Sequence, residues 1–232
     1  MTCRLLLALC ASPGIAQAQA VDAALWTFKL TPSVYSNRDA PQATDLNLRA
    51  NLGPHALWIG QYRQSGFGQQ WRTGYEYTAS PQWGQLVSSL QTAEGGFAGA
   101  SVTAQIGHQA YAIAGWGRTN LRPYYNLNFD PNDALTLGMG GWWGVQHQIS
   151  LYRIQDDRLH TGQRVTHLVW RYHPDSQHRL TVDVADKRGR VDADGPWLQG
   201  SSVSLTWDWQ GHFVRAAVDR KVNFSDDTQT RL

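Results

Sequence analysis

The chain has 232 residues, a formal net charge of +2 at neutral pH and a mean hydropathy of −0.43. So small a charge argues against a nucleic-acid-binding protein, for which a strong basic excess is typical. No segment approaches the roughly 18 consecutive apolar residues that a membrane-spanning helix needs. Aromatic residues nevertheless make up 11% of the chain, with 11 Trp, and there are 22 Gly.

The N-terminal residues 1–20 have the pattern of a secretory signal peptide. Leu5–Ala11 is an apolar stretch, and residues 18–20 fit the small-x-small cleavage pattern. The alternative, an uncleaved anchor helix, needs about 20 apolar residues and fits less well. We therefore expect cleavage near Ala20 and a single domain over residues 21–232. Both cysteines precede that site, so the mature domain would have neither a disulfide nor a cysteine metal site.

Beyond residue 25, apolar and polar residues alternate in many short segments. In Val203–Trp209 every odd-numbered residue is apolar and every even-numbered residue is polar, and the same period recurs in Asp45–Leu52, Trp71–Tyr77 and Leu180–Ala185. A period of two is typical of β-strands with two differently solvated faces. The pattern predicts an all-β chain.

The candidate strands are separated by turn signals rich in Gly, Pro, Asn and Asp. They are Leu25–Ser36, Thr44–Leu52, His55–Gln64, Gln70–Thr78, Gly84–Thr92, Phe97–Ile106, Ala110–Arg118, Pro123–Phe129, Ala134–Ile154, Arg164–Tyr172, Arg179–Lys187, Leu198–Trp209 and His212–Phe224. Ala134–Ile154 is either one very long strand or two strands joined at Gly140-Gly141. The tail Thr228–Leu232 resembles the first residues of a further strand, so the domain is either missing its last strand or closed by an unusual one. We expect about 12 to 14 strands.

The connections between these strands fall into two classes. Tight turns are predicted at 53–54, 80–81, 107–108, 130–133, 173–175 and 210–211, whereas Asn37–Ala43, Gln155–Gly162 and Arg188–Trp197 are longer and more polar. Outer-membrane barrels have short periplasmic turns and longer external loops. Counted from a periplasmic N-terminus, the early tight turns fall at alternate junctions, as that rule requires.

The alternation also predicts which side chains face outward. The outward set is Trp71, Tyr75, Tyr77, Ala98, Ala100, Val102, Ala104, Ile106, Leu168, Trp170, Tyr172, Val203, Leu205, Trp207 and Trp209. Aromatic residues near strand ends are expected in girdles at the two membrane interfaces. They are Trp58, Tyr62, Trp83, Trp116, Trp142 and Trp143.

Charged residues at mid-strand positions are the candidates for the lining of a lumen. They are Asp45, Arg49, Arg72, Glu76, His167, Arg171, Asp183, Asp208, Arg215 and Asp219. A charge directed toward lipid costs about 2–4 kcal/mol at the bilayer midplane, so these side chains should point inward.

A signal peptide, alternating strands, aromatic belts and short turns together resemble those of bacterial outer-membrane β-barrels in general. The resemblance implies an antiparallel up-and-down transmembrane β-barrel in the cell outer membrane of a Gram-negative bacterium. It also implies outer-membrane lipid, lipopolysaccharide and the barrel-insertion machinery as partners. Barrels of this class have many functions, so the resemblance transfers none of them.

The roughly balanced lumen charges leave two non-enzymatic interpretations. A porin-like channel could use its charged lining to select small polar solutes. Alternatively, ion-paired side chains could fill the barrel and leave a structural surface component. No nucleic acid is expected as a partner, and no cofactor is predicted.

An enzymatic alternative is less well supported by the sequence. Outer-membrane acyl hydrolases pair a His with a Ser two residues later, whereas His147 and Ser150 are three apart and would occupy opposite faces of a strand. The histidines are scattered, and the acidic loop segments are explained by turn chemistry, so no catalytic residue or metal ligand is predicted. The aromatic content leaves a soluble periplasmic carbohydrate-binding β-protein as a further alternative.

Overall fold

The computed structural model describes residues 25–125 and 130–232, so the predicted signal peptide lies outside the described residues. Within these residues, fourteen antiparallel strands follow one another in chain order and close into a barrel, because β1 pairs with both β2 and β14. The strands are β1 Thr27–Asn37, β2 Ala43–Leu52, β3 His55–Gln64, β4 Gly68–Ala79, β5 Gly84–Ala93, β6 Phe97–Gly107, β7 Ala110–Thr119, β8 Ala134–Trp143, β9 His147–Asp156, β10 Arg164–Tyr172, β11 His178–Gly189, β12 Leu198–Trp209, β13 His212–Arg220 and β14 Thr228–Arg231. The predicted all-β, up-and-down barrel is confirmed.

The segment Ala134–Ile154 forms two strands, β8 and β9, but their turn is not at Gly140-Gly141. The turn lies at 144–146, where Gly144 has the positive φ of 66° that a residue with a Cβ rarely adopts. Gly140 lies within β8, under the ring of Tyr111, and a Cβ there would come within 2.5 Å of that ring. The glycine is therefore explained by a close approach of an aromatic ring.

The predicted strand Pro123–Phe129 is wrong for its described part. Residues 121–125 are not in a strand, and 126–129 lie outside the described residues. The segment belongs to a long connection, 120–133, between β7 and β8, and the predicted tight turn at 130–133 is its final part. Asp133 anchors that part, because it accepts hydrogen bonds from the backbone N–H and the hydroxyl of Thr119 at 3.1 and 2.5 Å.

The tail Thr228–Leu232 contributes the strand that closes the barrel. β14 pairs with β13 on one side and with Tyr35–Asn37 of β1 on the other, and the Val34 N–H donates to the Leu232 carbonyl at 2.8 Å. A short 3-10 turn, Val222–Phe224, precedes it. Nearer the start of β1, Lys29 Nζ lies 4.0 Å from the centroid of the Phe213 ring of β13. We call β13, β14 and β1 together the seam.

The connections differ in length between the two ends of the barrel. The short-turn end has the connections 53–54, 80–83, 108–109, 144–146, 173–177 and 210–211. The opposite, long-loop end has 38–42, 65–67, 94–96, 120–133, 157–163, 190–197 and 221–227. No helix in the described part of the chain is long and apolar enough to cross a membrane.

The wall of the barrel has an apolar outer face and a more buried inner face. In β1, Ser33 and Tyr35 are 5% and 0% exposed, whereas the intervening Val34 is 42% exposed. Large apolar side chains are exposed on the outside around the whole wall. They include Leu30, Leu46, Leu57, Leu90, Ile106, Leu137, Leu151, Leu168, Val184, Leu205 and Val214. So extensive an exposed apolar surface marks a contact face, and it fits the lipid-facing band of an outer-membrane barrel.

The predicted aromatic girdle is only partly on this outer face. Trp116 and Trp143 are exposed on the outer face, and Trp83 is exposed in the connection 80–83. The other three aromatic residues, Trp58, Tyr62 and Trp142, occupy strand positions that face inward and are shielded from solvent. Tyr62 is fully buried, and the Trp58 ring covers Gly74 of β4. The prediction failed for these three because an aromatic residue near a strand end is compatible with either face.

Candidate functional site

The charged residues singled out from the sequence occupy inward-facing positions on β2, β4 and β10–β13. They are Asp45, Arg49, Arg72, Glu76, His167, Arg171, Asp183, Asp208, Arg215 and Asp219. The structure brings most of them together in separate pairs and small groups around the lumen.

One buried ion pair joins β2 to β4 across the intervening strand. Arg72 donates from Nη2 to Asp45 Oδ1, and both side chains are about 5% exposed. Gly60 of β3 lies beneath this pair, and a Cβ at that position would come within 3.3 Å of Arg72 Nη2. The absence of a side chain on β3 therefore leaves the space in which the pair forms.

A second pair lies nearer the short-turn end and links the same two strands. Arg49 donates from Nη1 and Nη2 to the two carboxylate oxygens of Glu76, at 3.0 and 2.5 Å. This two-pronged geometry is a strong form of the guanidinium–carboxylate contact. The pair is more open than Asp45–Arg72, because its side chains are 33% and 27% exposed.

Two further pairs lie on β11, β12 and β13. Lys187 of β11 donates to Asp219 of β13 across β12, and both side chains are buried. Arg179 donates to Asp208 from Nε at 3.1 Å and from Nη2 at 2.9 Å. These contacts satisfy the two carboxylates within the barrel wall.

His167 of β10 lies between two carboxylates on the inner face of the barrel wall. Its Nδ1 is 3.0 Å from Asp183 Oδ1, its Nε2 is 3.1 Å from Asp130 Oδ1, and its ring stacks on Tyr152 at 4.8 Å. A ring with a carboxylate acceptor at each nitrogen can donate from both, which is the pattern of the charged imidazolium. Because Asp130 belongs to the connection 120–133, His167 holds that connection against β10.

The same connection contacts the other side of the barrel through Tyr125. Its backbone N–H donates to Gln70 Oε1 at 3.0 Å, and its ring stacks on Tyr62 with 3.9 Å between centroids. β3, which holds Tyr62, lies halfway around the strand order from β10. The described parts of the connection thus contact opposite walls of the lumen at the long-loop end.

Replacing His167 by alanine is expected to make the connection 120–133 several-fold more sensitive to chymotrypsin, which cleaves after tyrosines such as Tyr124 and Tyr125. The physical reason is that Asp130 loses the imidazole that holds it to β10. The matched control is His160→Ala, which removes an exposed histidine from another connection at the same end. The rate of cleavage is followed over time, and mass spectrometry of the fragments identifies the cleaved bonds. If the His167 variant is cleaved in this connection at the wild-type rate, the contact between His167 and Asp130 does not hold the connection in place.

A polar cavity of about 230 Å³ opens from the lumen next to Asp130. Its lining includes His167, Asp183, Lys187, Arg215, Asp219 and Arg231. Ser202, Ser204 and Gln229 add hydroxyl and amide groups. The cavity thus combines charges of both signs with neutral hydrogen-bonding groups.

The arc of the wall formed by β5–β8 differs from the rest of the lumen. Its described inward positions carry no charged residue and are dominated by small or neutral polar side chains. They include Gln85, Ser89, Gln91, Gly99, Ser101, Thr103, Gln105, Gly115, Thr136 and Gly138. The lumen therefore has one charged side and one neutral side.

Several charged residues of the lumen were not predicted from the sequence. On β11, Arg179 and Lys187 lie an even number of positions from Asp183, so they face the same side of the strand. Lys29 is related in the same way to Thr27 and Thr31 on β1. The period of two could therefore have identified all three basic residues. Arg231 needed the assignment of the last strand. Asp130 carries no strand periodicity, and only the folded connection brings it to His167.

The His147–Ser150 segment lies on β9 with its two side chains on opposite faces. His147 stacks on Tyr172 and Trp170 on the outside, at 4.9 and 5.9 Å, whereas Ser150 is buried on the inner face. Over residues 25–125 and 130–232, no three His, Cys, Asp or Glu side chains are grouped so that they could hold a metal ion.

The distinguishing features of the described chain are thus its apolar outer wall, its charged lumen and the contacts that Tyr125 and Asp130 make with the inner wall. These features are properties of a barrel rather than of one named family. No family model matches the chain, and no curated protein is significantly similar to it in sequence.

Proposed function

We propose that this protein is an outer-membrane β-barrel that lets small polar solutes cross the membrane through its lumen. The observation that carries the proposal is the contrast between the two faces of one closed wall. Apolar side chains such as Leu137 and Leu205 are exposed outside, whereas ion pairs such as Arg49–Glu76 lie inside. A wall of this kind fits a bilayer on one side and a polar passage on the other.

The number of strands supports a passage rather than a fully packed interior. Fourteen strands about 4.8 Å apart and tilted by about 40° close into a cylinder with a backbone radius of about 14 Å. Barrels of about eight strands can be filled by their own side chains, but a barrel of this width needs additional chain to fill it. The β5–β8 arc adds no charged side chain to the described lumen, so that part of a passage would be lined by small and neutral groups such as Ser101 and Thr103.

A structural barrel without transport is the second candidate, and a specific observation favours it. The described parts of the connection 120–133 enter the long-loop end of the lumen and bind opposite walls through Tyr125 and Asp130. Such a segment either narrows a channel or blocks it. The distinction is one of permeability, which can be measured directly.

Liposomes containing the refolded protein are expected to swell in an iso-osmotic solution of a small neutral sugar and not in one of a large dextran. The physical reason is that the polar lumen admits small solutes and excludes polymers wider than the barrel. In cells, the protein should be recovered in the outer-membrane fraction and should migrate differently on gels before and after heating.

The matched control is protein unfolded by heat before reconstitution. Absence of swelling, with correct insertion shown by the gel shift, would favour the structural barrel. Release of fatty acid from the liposomes would favour the acyl-hydrolase alternative, and recovery in the soluble periplasmic fraction would exclude a membrane barrel.

A further inference from the structure

Six acidic residues in the described part of the lumen are engaged by basic partners. Asp45 binds Arg72, Glu76 binds Arg49, Asp208 binds Arg179 and Asp219 binds Lys187, while Asp130 and Asp183 share His167. Each carboxylate therefore accepts at least one charge-assisted hydrogen bond.

Four basic side chains of the lumen have no such partner. Within the described residues, no carboxylate oxygen lies within 4.0 Å of the charged nitrogens of Lys29, Arg171, Arg215 or Arg231. Their contacts are with uncharged groups. Arg171 donates to Gln148 Oε1 at 3.3 Å, Arg215 to Thr206 Oγ1 at 3.0 Å and Arg231 to Ser33 Oγ at 3.4 Å, and Lys29 lies over the Phe213 ring. Neutral partners orient these cations without cancelling their charge, so the lumen keeps a positive excess.

Three of the four cations follow the seam along the barrel axis. Lys29 contacts Phe213, Arg215 lies two residues further along β13, and Arg231 is paired with Ala217, two residues beyond that. Steps of two residues correspond to about 6.8 Å along a strand. We call Lys29, Arg215 and Arg231 the basic ladder.

Two further observations connect the basic ladder to a ligand. Arg171 lies in the same row across the sheet as Arg215, separated from it by Thr181 and Thr206. The middle residue of the basic ladder, Arg215, is therefore flanked by two hydroxyl groups and a second guanidinium. Arg215 and Arg231 also line the polar cavity of about 230 Å³, together with Ser202, Ser204 and Gln229. The carboxylates in that lining are those already bound to His167 and Lys187.

We propose that the basic ladder binds small oxyanions, solutes that carry a carboxylate or a phosphate, and makes the lumen selective for anions. The proposal rests on the proposed function and names the class of solute that the passage prefers. Guanidinium groups match the geometry of these oxyanions, and hydroxyl and amide donors complete their coordination. Successive cations allow an anion to move from one site to the next without being bound too tightly at any of them.

The test is the ion selectivity of the reconstituted protein in planar bilayers. In a gradient of potassium chloride, the zero-current potential of the wild type should show a several-fold preference for chloride over potassium. Added inorganic phosphate or acetate should reduce the chloride current and saturate. The double variant Arg215→Gln/Arg231→Gln should lose most of the preference and bind both anions several-fold more weakly, whereas Arg215→Lys/Arg231→Lys should retain the preference.

The matched control is Arg220→Gln, which removes one positive charge from the exposed outer face of β13. It should behave like the wild type. A wild-type current without preference for chloride, or with a preference for potassium, would contradict the proposed anion site but not conduction. The same conclusion would follow if the Arg215→Gln/Arg231→Gln variant showed the same preference for chloride as the wild type.

Titration calorimetry of phosphate and acetate into the folded protein in detergent separates this proposal from the proposed function. Binding that depends on Arg215 and Arg231 without any conductance would retain the site and contradict the channel. Neither binding nor conductance would contradict both.

Discussion

Replacing Leu205 by arginine is expected to destabilise the inserted barrel by about 2–4 kcal/mol, the cost of a lipid-facing arginine near the bilayer midplane. Leu205 is 49% exposed on the outer face of β12, and its neighbours across the two adjacent strands are Val182 and Ala216. The new guanidinium would therefore lie in an apolar surrounding without a counter-charge. The measurement is the free energy of unfolding in lipid vesicles, by denaturant titration.

The matched control for this substitution is the adjacent residue on the other face. Ser204 points inward and is paired directly with Asp183, so Ser204→Arg places the same charge beside a carboxylate. We expect a clearly smaller loss of stability from it. Equal losses from the two variants would contradict the assignment of the outer wall to lipid.

Removal of Arg72 by an alanine substitution is expected to lower the free energy of unfolding by about 3–5 kcal/mol, because it leaves a buried charge without its partner. Asp45 is 5% exposed and lies over Gly60, where water has little access. The double variant Asp45→Asn/Arg72→Gln removes both charges and should recover much of the loss. Denaturant titration of the refolded barrel measures both variants and the wild type.

The matched control is Arg49→Ala, which breaks the neighbouring ion pair between the same two strands. Glu76 and Arg49 are about a third exposed, so solvent screens the remaining charge and the expected loss is about 0–1 kcal/mol. Losses of the same size at Arg72 and Arg49 would show that burial does not set the strength of these lumen pairs.

The two kinds of charge in the lumen have different expected roles. Paired charges such as Asp45–Arg72 join strands that are not direct neighbours and so stabilise the wall. Cations with only neutral contacts, such as Arg215, leave their charge available to a solute. Substitutions in the first group should therefore change stability, and substitutions in the second should change selectivity.

Much of the architecture follows from local features of the sequence. A period of two is a property of each strand by itself, so the segments around Val203–Trp209 could be recognised as two-faced strands without knowing their neighbours. The turn residues then separated most strands correctly. Where the local signal was ambiguous, in Ala134–Ile154, the prediction left one strand or two open, and the turn it considered at Gly140-Gly141 was several residues too early.

The partners of the lumen side chains were decided by the tertiary structure. Asp45 and Arg72 are 27 residues apart and meet across a third strand, which depends on sheet register and on the missing side chain at Gly60. Trp58 and Tyr62 could not be assigned to a face from their type, because aromatic residues suit both a lipid interface and a lumen wall. The alternation of faces along a strand is a local property, so it can be predicted from the sequence. The pairing between strands and the position of Asp130 beside His167 form only when the barrel closes, so they cannot.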